Sequence, residues 1–558
     1  MQKKNFFLLS AASMMLLTSC SKLGALSADN FNVVPNPLET TAGQVPATIN
    51  GAFPEKYMKK KAVVTVIPEL RYGNDQVARG ESATFQGEKV EGNDQTISYK
   101  VGGNYTMKTN FKYVPEMQKS DLYLTFDAKI GKKSVNVPAV KVATGVIATS
   151  ELSKNTLKSA QACVAQDAYQ RIVEQKQDAN IKFLIQQATL RKSELKNNSV
   201  KEFVNMLNKI NQEKETLNLK NVEVSAYASP DGGFSLNDKL ANQRQGNTEK
   251  YVKQQLKSTK VDAPIDAKYT AQDWDGFQEL VKVSDIQDKD VILRVLSMYK
   301  DPEEREQQIK NMSSVFRELA DGILPQLRRS RLTLNYEVIG RSDEQIKDQY
   351  KNDAKQLSVE ELLYNANLTD NAAEKEDIYK TTTSLYPNDA RAYNNLATLA
   401  FAKGDYSAAK NYAQKALSVD SNNAEAKANL GMLALQAGDT QAAESYISQA
   451  ANAHGVQEAL GNLHLAQGKY AQAEQDFSNI ASNSAALAQL LNKNYSAAAN
   501  TLNKVKNADA TTEYLKAILN ARQGNNSAAA TALRNAISKD SSYANYAAND
   551  LELVNVSK

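Results

Sequence analysis

Three rhythms of apolar and polar residues divide this chain of 558 residues. From about Asn32 to Thr149, short runs alternate with period two: Ala62 to Ile67, Gln95 to Tyr99, Asp121 to Phe126 and Val135 to Val142. These runs are rich in β-branched and aromatic residues and are parted by Gly, Asn, Pro and Lys turns, which predicts an all-β antiparallel sandwich over 32–149. From about 165 to 340 the rhythm is mixed. Ile181 to Ile185 predicts a strand, Leu190 to Leu207 a helix with Leu195, Val200, Val204 and Leu207 turned inward, and Val222 and Val224 a central strand. The turn Pro230-Asp231-Gly232-Gly233 follows, then a helix with Ser235 as its cap. Ile265 to Thr270 and the alternating Leu332, Leu334, Tyr336 and Val338 complete an α/β domain. Between those strands, residues 272–320 predict a helical insertion headed by Trp274, the single tryptophan, as a core anchor. After a charged connector, Arg341 to Gln356, the pattern over 357–548 is all-helical, and it repeats. Asn395-Leu396 recurs as Asn429-Leu430, Gly404-Asp405 as Gly438-Asp439, Ala409 as Ala443 and Ala416 as Ala450, each 34 residues on.

The N-terminus carries a separate signal. Lys3 and Lys4 precede the apolar run Phe6 to Leu17, and Leu17-Thr18-Ser19-Cys20 follows at once, which marks a secretory signal peptide over 1–19. The segment 20–31 is small and polar, a tether to the first domain. A net charge of +4 is too small to argue for nucleic acid. Cys20 and Cys163 are the only cysteines and His454 and His464 the only histidines, so a disulfide framework and a metal centre both lack ligands. Without a nucleophile and base or a phosphate loop, neither a cofactor nor an enzyme activity is expected. The repeat region from Pro387 onward holds 14 Lys and Arg against 14 Asp and Glu, so it has no field to steer a highly charged partner.

Several of these stretches resemble known families. Leu17-Thr18-Ser19-Cys20 resembles the bacterial lipoprotein box, which implies acylation of Cys20 and a lipid anchor in the cell outer membrane. Ser21 and Lys22 supply no inner-membrane retention aspartate and no acidic surface-export run follows, which favours the periplasmic face over the cell surface.

The strand, Gly-containing turn and helix around Asn237, Leu240 and Arg244 resemble the OmpA-like, peptidoglycan-associated domain. That resemblance implies peptidoglycan binding, with Arg244 holding a carboxylate of the wall peptide as a guanidinium fork. The family's acidic partner stands fifteen residues before the arginine. Here that position is Ser229, and Asp231 is the candidate substitute. The alternative for Arg244 is a structural cation that satisfies loop carbonyls.

The 34-residue period resembles the tetratricopeptide repeat, which implies about five helical pairs whose concave face binds an unidentified protein or peptide. Together these features predict a non-enzymatic outer-membrane adaptor, tethered to the wall and recruiting proteins. The alternative is a surface-displayed adhesive or appendage-assembly component whose OmpA-like domain binds a protein.

Overall fold

The computed structural model describes residues 23–311 and 317–556. Cys20 and the signal segment lie outside the described residues. The chain forms two compact units, one of residues up to Gln166 together with Thr369 onward, the other Asp167–Leu368.

The first part of the first unit is β-rich. Strands Phe31–Val34, Gln44–Phe53 and Gly103–Lys112 make a three-stranded antiparallel sheet, and Ala62–Tyr72 and Ser120–Ile130 are the long central strands of a seven-stranded one. Both sheets face one core, where Val45, Ile49 and Phe53 meet Val64, Val66, Leu70, Leu122 and Leu124. The pairing is mixed where a purely antiparallel sandwich was expected. Ala83–Gly87 runs parallel to Gln95–Ile97, and Leu38–Glu39 runs parallel to Val146–Ile147. The strands Gln44–Phe53 and Gly103–Lys112 gave no strong sequence signal, because their inward positions include Ala47 and their partners include Gly51. A Cβ on Gly51 would lie 2.2 Å from the Tyr105 ring, so the glycine makes room for an aromatic across the ladder.

The last part of this unit is an array of five helical pairs, from Ala390–Ala402 with Tyr406–Val419 to Ala510–Arg522 with Asn526–Lys539, preceded by Ala372–Leu385. The helix Val359–Asn367 belongs to the second unit. Every turn inside a pair needs one left-handed residue. Gly404, Gly438, Gly468 and Gly524 fill that position at φ 72 to 83°, and Lys493 takes it at φ 63°. Asp405 and Asp439 then cap the second helix, each accepting an N–H at 2.9 Å. Helices of a pair touch at Gly431 and Gly461, where added Cβ atoms would meet Ile447 at 2.4 Å and Phe477 at 2.5 Å.

The second unit is a four-stranded sheet in the order Ile172–Lys182, Arg329–Ile339, Leu217–Tyr227, Ile265–Thr270, with only the last pairing parallel. Helices Asn198–Gln212 and Phe234–Thr259 bury Phe203, Leu207 and Val252 against Val222, Val224, Leu332 and Leu334. The first strand starts at Ile172, well before Ile181, because an edge strand with one wet face carries polar residues such as Glu174, Lys176 and Asp178. The first helix starts later than expected, since the Asn197 side chain accepts the Val200 N–H at 2.9 Å and stops the helix from extending back. Phe234 follows Gly233 directly into its helix, so Ser235 is inside the first turn and is not the cap. The expected connector is largely the helix Asp343–Asp353, opened by the capping box of Ser342 and Gln345. The insertion folds on its own small core of Trp274, Phe277, Val281, Ile292, Leu296 and Leu327.

Two glycines separate space from conformation. Gly461→Val should push into the Phe477 ring and lower stability by about 1–3 kcal/mol. Gly246 sits mid-helix with nothing within 4 Å of an added Cβ, so Gly246→Ala should raise stability by about 0.5–1 kcal/mol. Denaturant melts of both variants check the pair, and a destabilised Gly246→Ala would contradict the open space.

Candidate functional site: an occupied repeat groove and a loop pocket

After the short helix Ser153–Leu157, the chain has no regular structure from Ala160 to Gln166, yet Ala160, Cys163 and Ala165 are buried. Backbone polar groups in that setting need partners. The array supplies them from side chains at equivalent places in successive repeats, nine and ten residues before the left-handed turn residues Gly404 and Gly438, and the same places before Lys493 add contacts to strap hydroxyls.

Before Gly404 these are Asn394 and Asn395. Asn395 accepts the Ala165 N–H at 2.8 Å and returns a donor to the Ala165 carbonyl at 3.0 Å. Asn429, before Gly438, does the same for Cys163 at 2.7 and 2.9 Å, and Asn394 adds a second donor to the Cys163 carbonyl at 2.9 Å. Asn429 also donates to Asn394 at 2.9 Å, so the amides orient one another. Before Lys493, Asn483 donates to the Ser159 hydroxyl at 3.1 Å and Ser484 to the Thr156 hydroxyl at 3.0 Å. The strap therefore runs against the order of the repeats, its backbone read at alternate residues as a neighbouring β-strand would read it.

Between those contacts stands Glu458, ten residues before Gly468. It is 3% exposed and its Oε1 has no hydrogen-bond partner. Burial pushes its carboxyl from 4.5 up to about 7, although hydrogen bonds with Ser482 and Asn462 oppose the shift. Cys163, 1% exposed, has its thiol pushed up to about 12 by burial, with the charges of Glu425 and Glu458 adding to the effect. A thiol so held is no nucleophile.

The second unit brings Ser229, Asp231, Asn237 and Arg244 together at one loop. Asn237 donates to the Ser229 and Gly232 carbonyls at 3.0 and 2.7 Å and so shapes the turn. Arg244, 1% exposed, donates to the carbonyls of Tyr227 at 2.8 Å, Gln187 at 3.0 Å and Leu184 at 3.4 Å, with its guanidinium 5.0 Å from the Phe183 ring centre. Burial and the neighbouring Arg328 push its pKa down to about 10. Of the two roles open to Arg244 from sequence, satisfying loop carbonyls is the one these bonds serve.

Asp231 pairs with Arg328 at 2.9 Å and hydrogen-bonds Ser229, which in turn accepts from Arg328 at 3.2 Å. Arg328 is the member that sequence reasoning left out. Its signal was the Arg328-Arg329 pair leading into the last strand, but only the fold carries that pair to a loop about a hundred residues upstream. A cavity of about 50 Å³ lies here, lined by Ile185, Ser229, Asp231, Leu236, Arg244 and Arg328 among others. Leu184, Ile185, Phe234 and Leu236, on the two segments that frame it, are all exposed, Ile185 by 58%.

Elsewhere, Trp274 stacks edge-on with Phe277 in the insertion core, and His464 Nδ1 lies 2.6 Å from Asp476. Among the described residues no three His, Cys, Asp or Glu side chains are grouped to hold a metal ion, and no helix is long and apolar enough to cross a membrane.

Comparison with known proteins identifies the helical array. Residues 400–464 match the tetratricopeptide repeat family, and the C-terminal region is a tetratricopeptide-repeat array. A tetratricopeptide repeat protein from Parabacteroides merdae aligns over 42% of this chain and 93% of its own, at 16% identity and a TM-score of 0.27. The protein pilF of Pseudomonas aeruginosa aligns over 37% and 99%, at 17% identity and a TM-score of 0.27. PilW, a type IV pilus biogenesis factor, aligns over 38% and 88%, at 20% identity and a TM-score of 0.22. None of the curated proteins compared matches the chain.

Two substitutions probe the groove. Asn429→Ala strands the buried Cys163 N–H and should cost about 1–3 kcal/mol, with faster alkylation of Cys163 as the strap loosens. Glu458→Gln should act through pH. Because the folded carboxyl holds its proton up to about 7 while the unfolded one releases it near 4.5, the folded state binds more protons between those values. Stability of the native chain should therefore fall as pH rises from about 4.5 to about 7, by roughly 3 kcal/mol, relative to the glutamine variant. Parallel curves for the two proteins across that window would remove Glu458 as the cause.

Proposed function

We propose that this chain is a non-enzymatic adaptor of a bacterial outer membrane, anchored through lipid on Cys20, whose repeat array grips extended polypeptide and recruits protein. The asparagine ladder carries this reading, because amides at matched positions of successive repeats already hold both hydrogen-bonding groups of Cys163 and Ala165. A chain held by its backbone is held almost regardless of sequence, and the balanced charge of the array fits a partner of no extreme charge.

In this reading the central unit is an OmpA-like domain, supported by its mixed sheet and by Asn237, Leu240 and Arg244 at the family's offsets. Its ligand is a protein more readily than the wall. Arg244 already gives one N–H from each of its three nitrogens to a carbonyl, Asp231 is taken by Arg328, and the apolar side chains of Leu184, Ile185, Phe234 and Leu236 gain more from shedding water against a protein than against a glycan. Wall tethering keeps second place on the strength of the polar cavity between Arg328, Asp231 and Ser229.

Three measurements bear on this. Cys20→Ala should release the chain from the outer-membrane fraction, and tight association of that variant would sink the anchor. A photo-crosslinker beside Asn429 in living cells should yield a discrete protein adduct, and its absence would reduce the array to an internal clasp. The full chain should stay in the supernatant when isolated sacculi are sedimented at low salt. Should it pellet, and should Arg328→Ala abolish the pelleting, the wall reading takes first place.

A further inference from the structure

The strap fills the groove without satisfying it. Four successive repeats present matched pairs of positions to the strap: Asn394 and Asn395, Ala428 and Asn429, Glu458 and Ala459, Asn483 and Ser484. Three of the four pairs hydrogen-bond the strap. The third pair does not, and its carboxylate oxygen Oε1 is buried with no partner at all.

The strap residues between Ser159, held by Asn483, and Cys163, held by Asn429, are Ala160, Gln161 and Ala162. Ala160 is buried with its N–H given to the Leu157 carbonyl at 3.2 Å, Ala162 is half-buried and Gln161 is exposed, so neither alanine has a side-chain donor to offer and the one amide side chain stays in solvent. No salt bridge to Glu458 exists among the described residues, and its charge is close enough to act on the Cys163 thiol. A buried, half-unpaired carboxylate is costly, and a cation placed against it gains a charge-assisted contact that the strap cannot make.

Resting on the reading of the array as a polypeptide-binding scaffold, we propose that residues 159–165 are an internal pseudo-ligand, and that the true partner is an extended segment that lays its backbone along Asn394, Asn395 and Asn429 as Cys163 and Ala165 do and sets a lysine or arginine against Glu458. The strap is tethered at both ends, so it competes at high effective concentration. A partner that lacked the cation would rarely displace it. The added pairing with Glu458 is what lets a separate chain win, and it makes Glu458 the specificity-determining residue of the groove.

Cys163 reports the exchange, since displacing the strap exposes its thiol. The test uses the full chain with Cys20→Ser, which leaves Cys163 as the sole thiol. The probes are synthetic peptides of the strap sequence 156–166 with serine in place of Cys163, carrying lysine at the position of Ala160, Gln161 or Ala162. Each is matched by a twin with norleucine at that position. At least one lysine peptide should speed alkylation of Cys163 saturably and bind tenfold or more tighter than its twin, and Glu458→Gln should erase that preference. The same ratio is read in Asn429→Ala, where a looser strap keeps the groove open to both twins. Equal binding of lysine and norleucine peptides in both backgrounds overturns the proposal, as does a preference that survives Glu458→Gln. If the cellular crosslink from the groove is found while the twins bind equally, the scaffold stands and the cation code falls. If no crosslink forms and no peptide binds either background, both fall.

Discussion

Seven residues without helix or strand, Ala160 to Gln166, with Ala160, Cys163 and Ala165 buried, set the terms for the first unit. A backbone amide or carbonyl shut away from water costs about 1–3 kcal/mol when left unpaired, so such a segment is tolerable only where partners are fixed in advance. Asparagine is suited to the task because one planar side chain carries a donor and an acceptor side by side, the same pair that a strand offers its neighbour. Placing it at the same point of consecutive repeats turns the array into a substitute strand. Leu157, Ala160 and Cys163 then join the apolar core of the repeats, and the strap becomes part of their interior.

The same arrangement gives the array two conflicting properties. It is complete as a folded object, since its groove is filled. It is incomplete as a set of paired groups, since Glu458 keeps an oxygen without a partner. A buried carboxyl oxygen left without a partner costs stability. Here the cost rises with pH, in the sense opposite to that of carboxylates held by cations, such as Glu376 between Lys380 and Lys403, whose carboxyl is held at about 2.

The central unit solves a different electrostatic problem. It buries one guanidinium completely and keeps a second, Arg328, nearby. Carbonyl oxygens of Tyr227 at a strand end and of Leu184 and Gln187 in the loop after Lys182 absorb the first, and Asp231 with Ser229 absorbs the second. The loop is thereby fixed in shape before any ligand arrives. Its apolar frame, Leu184, Ile185, Phe234 and Leu236, stays exposed.

What the amino-acid order alone determined was local. The repeat period, the Gly-Asp turns, the capping aspartates and the strand Ile265–Thr270 all follow from interactions spanning a few residues, so their signatures sit in short stretches of sequence. Asn395 and Asn429 were legible as a recurring pair, but their purpose was not. Their partners Ala165 and Cys163 lie 230 and 266 residues away, and a segment as plain as Ala160 to Gln166 carries no mark of the groove it enters. The same holds at the loop pocket. The motif positions Asn237 and Arg244 stood out by spacing, while the partnership of Asp231 with Arg328, 97 residues on, and the three carbonyls that Arg244 serves depend on how the strand ends and the loop after Lys182 converge. Side-chain type and spacing decide what a group can do. Only the tertiary structure decides which of its bonds are already spent.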